Sequence, residues 1–366
     1  MPVTFVAPRQ RLVVNLFDDR DFFEQRAFFA GRPDLTPTPL RSLAGLARAL
    51  GIAALLVKDE TNRFGLNAFK AAGGTFAVET LRRRGDIRPG ATLVCASEGN
   101  HGRAVARAAR EAGCAARVYV AGSVAASRVE AIQSEGATVV RIPGTYDQAV
   151  RAMAGDAATH DWVIISDTSW PGYEDTPRLI MLGYTRLLDE AEAAWQPTAP
   201  PDVIFVQGGV GGLLAAVAGW ADWRYGAARP RIVGVEPTSA ACLQVSARAD
   251  LPTIIDGPFD TLMSGLRCGE VSSLAFKSTR TLVDAYIAIE DDWAIQAIRA
   301  LAAPIGDDPA IQAGPSGAAG LGGLLATLQD PAGEPLRSAL SLGSNARVLV
   351  LVTEGSVIDR SANGRP

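Results

Sequence analysis

Lysine is scarce in this chain of 366 residues. Lys58, Lys70 and Lys277 are three of its 35 basic residues, and arginine supplies the rest. That scarcity raises the question of what an amine does at those places that a guanidinium does not. Histidine occurs twice and cysteine four times, as Cys95, Cys114, Cys242 and Cys268, at spacings that match no zinc or redox motif. Cys95 and Cys114, in apolar surroundings, read as small core residues. Basic excess is also missing: the net charge is −4 and the pI about 5.4, which argues against a nucleic-acid surface. There is no apolar run of about 18 residues, so no membrane span is expected. The opening MPVTFVAPRQRLVV lacks the basic start and apolar core of a signal peptide, so a cytoplasmic protein is expected. No block of like charge suggests a tail, and no fixed-period repeat suggests a solenoid.

What is present is globular: 48% hydrophobic and 20% charged residues. The first 45 residues read as irregular, with TPTPL (36–40) extended or in a turn. Strand and helix patterns then alternate. ALLVKDE, ATLVCAS, ARVYVAG, TVVRIP, DWVIISD, DVIFVQ, RIVGVEP, DAYIAIE and ARVLVLVTEG read as strands. Helices are expected at 67–84, with Arg82 to Arg84 suited to its C-terminal dipole, and at 101–113, about 126–135, 146–158, 177–195 and from about 211. DDWAIQAIRALAA is a further helix, capped by Asp291 or Asp292. Alternating units imply an α/β fold with mostly parallel sheet covered by helices. A TIM barrel shares that alternation. The linker candidate QPTAPPD (196–202), three prolines in seven residues, favours two lobes, each an open sheet. Ligands of such sheets bind at the carboxyl ends of strands.

Three loops or helix starts fall at such ends. In DVIFVQGGVGGLLAAV (202–217), Gly208, Gly209, Gly211 and Gly212 stand between strand and helix. Glycines admit an anion to the backbone, and the helix start offers free N–H groups. The spacing is neither GxGxxG with a following acid nor a Walker motif, so a single phosphate fits better than a dinucleotide. The alternative is tight strand–helix packing. In ASEGNHGRAVA (96–106), Ser97, Asn100 and His101 supply donors beside a helix start, which suits a carboxylate. The alternative is an Asn100 N-cap with a solvent-facing histidine. Lys70 lies between Phe69 and AAGG (71–74), where loss of solvation favours the neutral amine over the solvated lysine of an ordinary helix. A neutral lysine can form a Schiff base, and arginine cannot. Lysine, single-phosphate loop and carboxylate loop together suggest pyridoxal phosphate with an amino-acid substrate.

KDETNRFGLNAFKAAGG (58–74), SEGNHGRAVA (97–106), DTSWPGYEDTPRLIMLGY (167–184), MSGLRCGE (263–270) and GPSGAAGLGGL (314–324) together resemble the fold-type II pyridoxal phosphate enzymes. That family includes threonine and serine dehydratases and is similar in fold to tryptophan synthase β. Within it the likeness is to the diaminopropionate ammonia-lyase branch. The resemblance implies two open, mostly parallel twisted sheets: residues 1–87 and 200–366 as a large cofactor domain, 88–199 as a small one, in a homodimer. It implies that Lys70 carries the cofactor, Asn100 bonds the 3′-oxygen of its ring, and Gly208, Gly209, Gly211 and Gly212 cradle its phosphate. Thr353 would face the pyridine nitrogen. Ser97 and the backbone of 98–101, with Gly99 and His101, would bind the substrate carboxylate. Asp167 would contact the substrate amine or assist proton transfer.

Two positions depart from the family pattern. Glu98 stands where aspartate precedes GNHG, and its extra methylene moves the carboxylate by roughly 1.5 Å or less. A misplacement near 1 Å can cost about 100-fold. Pro171 stands where an acidic residue is usual, and both are expected to border the substrate. The expected reaction is α,β-elimination, with Lys70 taking the Cα proton and Glu98 or Asp167 serving the opposite isomer. Dehydration of a β-hydroxy amino acid, β-replacement, and a cofactor-binding protein without turnover use the same residues. His101 is expected to be structural, His160 a surface residue at a helix end, and residues 290–292 a helix start.

Overall fold

The computed structural model describes residues 2–6, 15–97, 99–196 and 198–356. Among them the elements run β1 (Val3–Val6), α1 (Asp19–Ala30), β2 (Leu40–Ser42), α2 (Ala44–Leu50), β3 (Ala54–Asp59), α3 (Lys70–Arg84), β4 (Thr92–Ala96), α4 (Asn100–Glu111), β5 (Ala115–Ala121), α5 (Ala126–Gln133), β6 (Thr138–Ile142), α6 (Tyr146–His160) and β7 (Val163–Ile164). They continue with α7 (Asp175–Tyr184), α8 (Arg186–Trp195), β8 (Val203–Gln207), α9 (Gly212–Tyr225), β9 (Arg231–Pro237), α10 (Cys242–Ala249), α11 (Ser273–Leu282), β10 (Ala285–Ile289), α12 (Asp291–Ala302), α13 (Pro315–Gln329), α14 (Glu334–Ala339) and β11 (Arg347–Val352).

The strands form two open sheets, not the single barrel that alternation alone allowed. One runs β1-β10-β9-β8-β11-β3-β2 and is parallel except at its two edge strands. The other, β6-β5-β4-β7, is parallel throughout. Unbroken apolar runs build the central strands: β8 and β10 are buried at every position. Parallel strands covered on both faces require that pattern. On β11, Val348, Val350 and Val352 enter one core with α2, α12 and α13. Leu349 and Leu351 enter the other, with α3, α7 and α9. Each such side chain contributes about 1.5–3 kcal/mol by leaving water. Helix α13 tolerates its glycines because the sheet lies so near: a Cβ on Gly323 would come within 2.7 Å of Val235.

All four strands of the smaller sheet lie between residues 92 and 164, while α7 and α8 pack against α3, α9 and β2. Several local expectations are corrected. The first 45 residues are not irregular. Helix α1 is closed by a capping box in which Asp18 and Asp21 exchange backbone-to-carboxylate bonds of 2.9 Å. Its Phe28 and Phe29 pack on Phe76. The helix expected over 177–195 is two, because the Thr185 hydroxyl donates back to the Leu182 carbonyl at 2.6 Å and interrupts the ladder. Of DWVIISD, only Val163–Ile164 forms strand. The Ser166 N–H goes instead to the Tyr173 hydroxyl (2.9 Å), which releases the next residue, Asp167, from the sheet. Helix α12 has Glu290 at its N-cap, with a carboxylate that accepts from the Thr238 hydroxyl (3.0 Å) and does not cap the helix, and Asp291 accepts from Leu262 N (2.8 Å) and the Thr261 hydroxyl.

Candidate active site

The carboxyl ends of β3, β11 and β8 in one sheet face those of β4 and β7 in the other. The chain segment before α3 is stitched to the end of β11. Phe69 N donates to Thr353 O (3.1 Å), Gly355 N donates to Asn67 O (2.9 Å), and Ala68 bridges Glu354. Lys70, first residue of α3, thereby stands beside Thr353 and Glu354 in one cleft with Ser97, Gly99, Asn100, His101, Asp167 and the glycines after β8. This is the edge where open α/β sheets bind ligands. Glu98 lies outside the described residues.

The Lys70 amine bonds the Asp167 carboxylate. The Phe69 and Tyr184 rings flank it, with centroids 5.1 and 5.5 Å away. Burial alone would push this amine down. Asp167 and Tyr184 outweigh it, and the amine is held above the ordinary lysine range. The neutral lysine expected from its neighbours in sequence is therefore corrected: the fold brings a carboxylate to it from 97 residues away. Asp167 answers in the opposite sense. Burial would raise it, but the His101 ring and the Lys70 ammonium bring it to about 2. Lys70 is the partner that counts, since burial pushes His101 itself below its ordinary value, toward the neutral ring.

His101 is buried, not solvent-facing. Its Nε2 donates to the Ile165 carbonyl at 2.8 Å, and a carbonyl only accepts, so Nε2 carries the proton. Its Nδ1 lies 4.0 Å from the Asp167 carboxylate and has no hydrogen-bond partner among the described residues. The Ser97 hydroxyl organises the loop, accepting from Gly99 N (2.9 Å) and Gly102 N (2.8 Å). Those bonds leave the N–H groups of Asn100 and His101 as helix-start donors not drawn into the loop. Gly99 has φ of 145°, a conformation that side chains rarely adopt, and is the N-cap of α4, so Asn100 is not the cap. The Asn100 side chain reaches across instead, donating from Nδ2 to Glu354 Oε2 at 2.6 Å.

Gly208 to Gly212 form the turn from β8 into α9. Gly211 has φ of 100°, and a Cβ on Gly208 would lie 2.5 Å from Leu243. Gly208 N is used by Val235 O (2.8 Å), and no side chain caps the helix, whose N-cap is Gly211. The first N–H groups of α9 are therefore open to an anion at the positive end of a 14-residue helix. Thr353 is buried beside the loop, and its hydroxyl oxygen accepts from Gln207 Nε2 at 2.6 Å, which leaves its own proton free to donate.

The sequence pointed to neither Glu354, Gln207 nor Tyr184. Glu354 and Gln207 end strands next to residues that it did mark, and their position at strand ends was the available signal. Tyr184 reaches Lys70 only through the packing of α7 on α3. Pro171 is corrected: it is exposed at the tip of the Trp170–Tyr173 turn and is not among the residues lining the cleft. Stacked at 4.4 Å, Trp170 and Tyr173 hold that turn, and the Tyr173 hydroxyl donates to Ile164 O at 2.9 Å.

A model of the family described as pyridoxal-phosphate dependent enzyme matches residues 32–354. This chain belongs to the pyridoxal-phosphate dependent enzymes. Its cofactor is pyridoxal phosphate, and the residues of the cleft fit that group. An uncapped glycine turn offers N–H groups for a phosphate, a hydroxyl proton and an amide face the space between, and an amine stands at the far side. Among relatives in this family, the diaminopropionate ammonia-lyase of Escherichia coli is 37% identical over 87% of this chain and 84% of its own length. That of Salmonella typhimurium is 36% identical over 91% of this chain and 88% of its own. The crystal structure of the Escherichia coli enzyme in complex with an aminoacrylate–pyridoxal phosphate azomethine reaction intermediate superposes with a TM-score of 0.90. It is 34% identical over 97% of this chain and 94% of that one.

Proposed function

We propose that this chain is an ammonia-lyase that performs α,β-elimination on 2,3-diaminopropionate, giving pyruvate and ammonia. The observation that carries the proposal is the Lys70–Asp167 pair at the centre of a cleft, in a fold that superposes on an enzyme of that name. Pyridoxal phosphate, when bound, supplies an electron sink for the pair left by the Cα proton. The chain's own residues do the rest. Lys70 carries the cofactor, and the start of α9 with Gly208, Gly209, Gly211 and Gly212 holds its phosphate. The Thr353 hydroxyl donates to the pyridine nitrogen, and Asn100 to the oxygen on the ring. The helix-start N–H groups of Asn100 and His101, with the Ser97 hydroxyl proton, hold the substrate carboxylate.

Displaced from the cofactor, Lys70 Nζ takes the proton from Cα. The C–H electron pair becomes the Cα=Cβ bond, and the Cβ–N bond breaks. The departing amine needs a proton to leave as ammonia. The Lys70 ammonium holds one against Asp167, so the same nitrogen can return it. Asp167 fixes where that proton resides, and the buried His101 excludes water behind it. Phe69 and Tyr184 wall the amine from solvent, which strengthens its bond to Asp167. The released enamine takes up water and loses the second ammonia to become pyruvate.

A panel of D and L amino acids, read by keto-acid release, tests the proposal. Pyruvate from diaminopropionate, with little from serine or threonine, is the expected result. Turnover of the hydroxy amino acids alone would replace it with dehydration, and consumption only with an added nucleophile would replace it with β-replacement. Glu98 belongs to the same proposal as the second base: Glu98→Gln should change the D/L ratio. A homodimer, to be weighed by light scattering, and a cytoplasmic location are also part of it. No described helix is long and apolar enough to cross a membrane.

A further inference from the structure

We propose that Glu354 is a positioning residue for the cofactor ring and acts through Asn100. This rests on the proposal above that Asn100 meets the oxygen on that ring. Glu354 follows Thr353 at the end of β11 and is 4% exposed. Its Oε2 takes the Asn100 Nδ2 proton at 2.6 Å, and its Oε1 has no hydrogen-bond partner among the described residues. Glycines make room for it: a Cβ on Gly314 would lie 2.9 Å from Oε1, and one on Gly317 2.9 Å from Cγ. Gly314 is the N-cap of α13, so the carboxylate rests at the positive end of a 15-residue helix, a place that favours an anion.

A carboxylate only accepts hydrogen bonds, whereas an asparagine amide can present either face. Unrestrained, that terminal torsion is broad and two-fold. With Glu354 on one side, Asn100 must offer Nδ2 to it, because the turned-over amide would set two acceptors against each other. The amide plane is then fixed, and its second N–H points along one direction from the start of α4. Glu354 in turn is tied by backbone to Ala68, next to the Lys70 segment. One acid thus links the register of the lysine strand end to the orientation of the asparagine on the facing sheet.

The test is a titration of the cofactor-free protein with pyridoxal phosphate, in wild type, Asn100→Ala, Glu354→Met, Glu354→Gln and the Asn100→Ala/Glu354→Met double variant. Two quantities are read: the dissociation constant, by quenching of tryptophan fluorescence, and the visible absorbance maximum of the bound cofactor. Asn100→Ala and Glu354→Met should each weaken binding roughly tenfold, the size of one charge-assisted hydrogen bond, and should displace the maximum alike. Glu354→Gln fills the same space and can still accept, so it should stay within about threefold of wild type. The double variant should be no weaker than Asn100→Ala, because two residues acting through one bond are not additive. Wild-type binding and maximum in Glu354→Met, or additive losses in the double variant, would overturn the inference. An unchanged Asn100→Ala would instead remove the assignment of Asn100, and the inference with it. Should Glu354→Met not fold, Glu354→Ala, equally without an acceptor, carries the same comparison.

Discussion

Lys58 and Lys70 are both enclosed beside carboxylates, yet their surroundings drive them in opposite directions. Lys58, on β3, is fully buried and donates to Thr38 O (2.6 Å) and Glu190 Oε2 (2.7 Å). Around it Arg63 forms bonds of 2.6–2.8 Å to both Glu60 and Glu190. Burial pushes the Lys58 amine down, Arg63 adds to that, and Glu60 and Glu190 do not restore it. Among the described residues Lys70 has one carboxylate, two aromatic faces and no second lysine or arginine on that carboxylate, so Asp167 prevails and the amine is held high. Lys58 is committed to partners that never leave. Among the described residues Lys70 pairs with a single carboxylate, and its side chain is still 23% exposed to the cleft, so it can exchange that partner for a ligand. Scarcity of lysine marks both; what separates them is how many of their bonds the fold has already filled.

Removing each amine should therefore fail in different ways. Lys70→Ala should abolish the visible cofactor band and lower elimination by about 10⁴-fold or more, as loss of the covalent anchor and base together. Lys70→Arg should do the same despite its charge. Steady-state assays and an absorbance spectrum check both. Substantial turnover in either variant would mean that Lys70 is no more than another structural lysine. Next in size is Asp167→Asn, with kcat lower by roughly 10²–10⁴-fold. Without the carboxylate the Lys70 amine loses the group that holds it high, so uptake of pyridoxal phosphate by the cofactor-free variant should extend to lower pH than in wild type. An unshifted uptake profile would deny the coupling between the two residues.

Lys70 and the glycines after β8 were legible because each is a local pattern: an amine opening a helix, a glycine turn entering another. The strand runs were legible for the same reason, since a parallel strand buried on both faces is apolar along its whole length. What was not legible is which residues meet. Asp167 lies 97 residues from Lys70, Gln207 lies 146 from Thr353, and Glu354 lies 254 from Asn100. No periodicity spans such intervals. The charge of Lys70 is hidden for the same reason, because its neighbours in sequence are apolar and its neighbour in space is not. Helix α1 differs in kind. Its capping box and its phenylalanines were in plain view, but the proline-rich segment after it drew the whole region toward irregular structure. Thr185, a single hydroxyl that turns back on its own helix, gives no signal in an otherwise continuous amphipathic pattern.

The structural lysine supplies the next test. Lys58→Met leaves Glu190 with a buried charge short of one partner, which should cost about 3–5 kcal/mol of stability, measured by denaturant unfolding. Turnover per bound cofactor should stay near wild type. A variant that is stable but inactive would instead place Lys58 in the reaction and erase the contrast with Lys70.

The smallest effect, and the sharpest for the comparison, is in acid. Glu190 and Asp167 are both held at about 2 in the folded chain, against ordinary values near 4 when unfolded. Burial opposes that in each; Arg63 and Lys58 outweigh it for Glu190, and the His101 ring with the Lys70 ammonium for Asp167. A carboxyl lowered by folding adds stability that is complete above its unfolded value and is lost as the pH falls toward its folded one. Cofactor-free wild type should thus lose stability between about pH 5 and pH 2, with up to about 1.4 kcal/mol per pH unit for each such proton. In Lys70→Ala the Asp167 share should shrink, because the His101 ring is then the main group left to hold that acid down, while the Glu190 share persists. Unfolding curves at a series of pH values should give the variant a shallower slope, by up to about one proton. Equal slopes would show that Asp167 owes its low value to something other than Lys70, and that the two ion pairs differ less than their geometry implies.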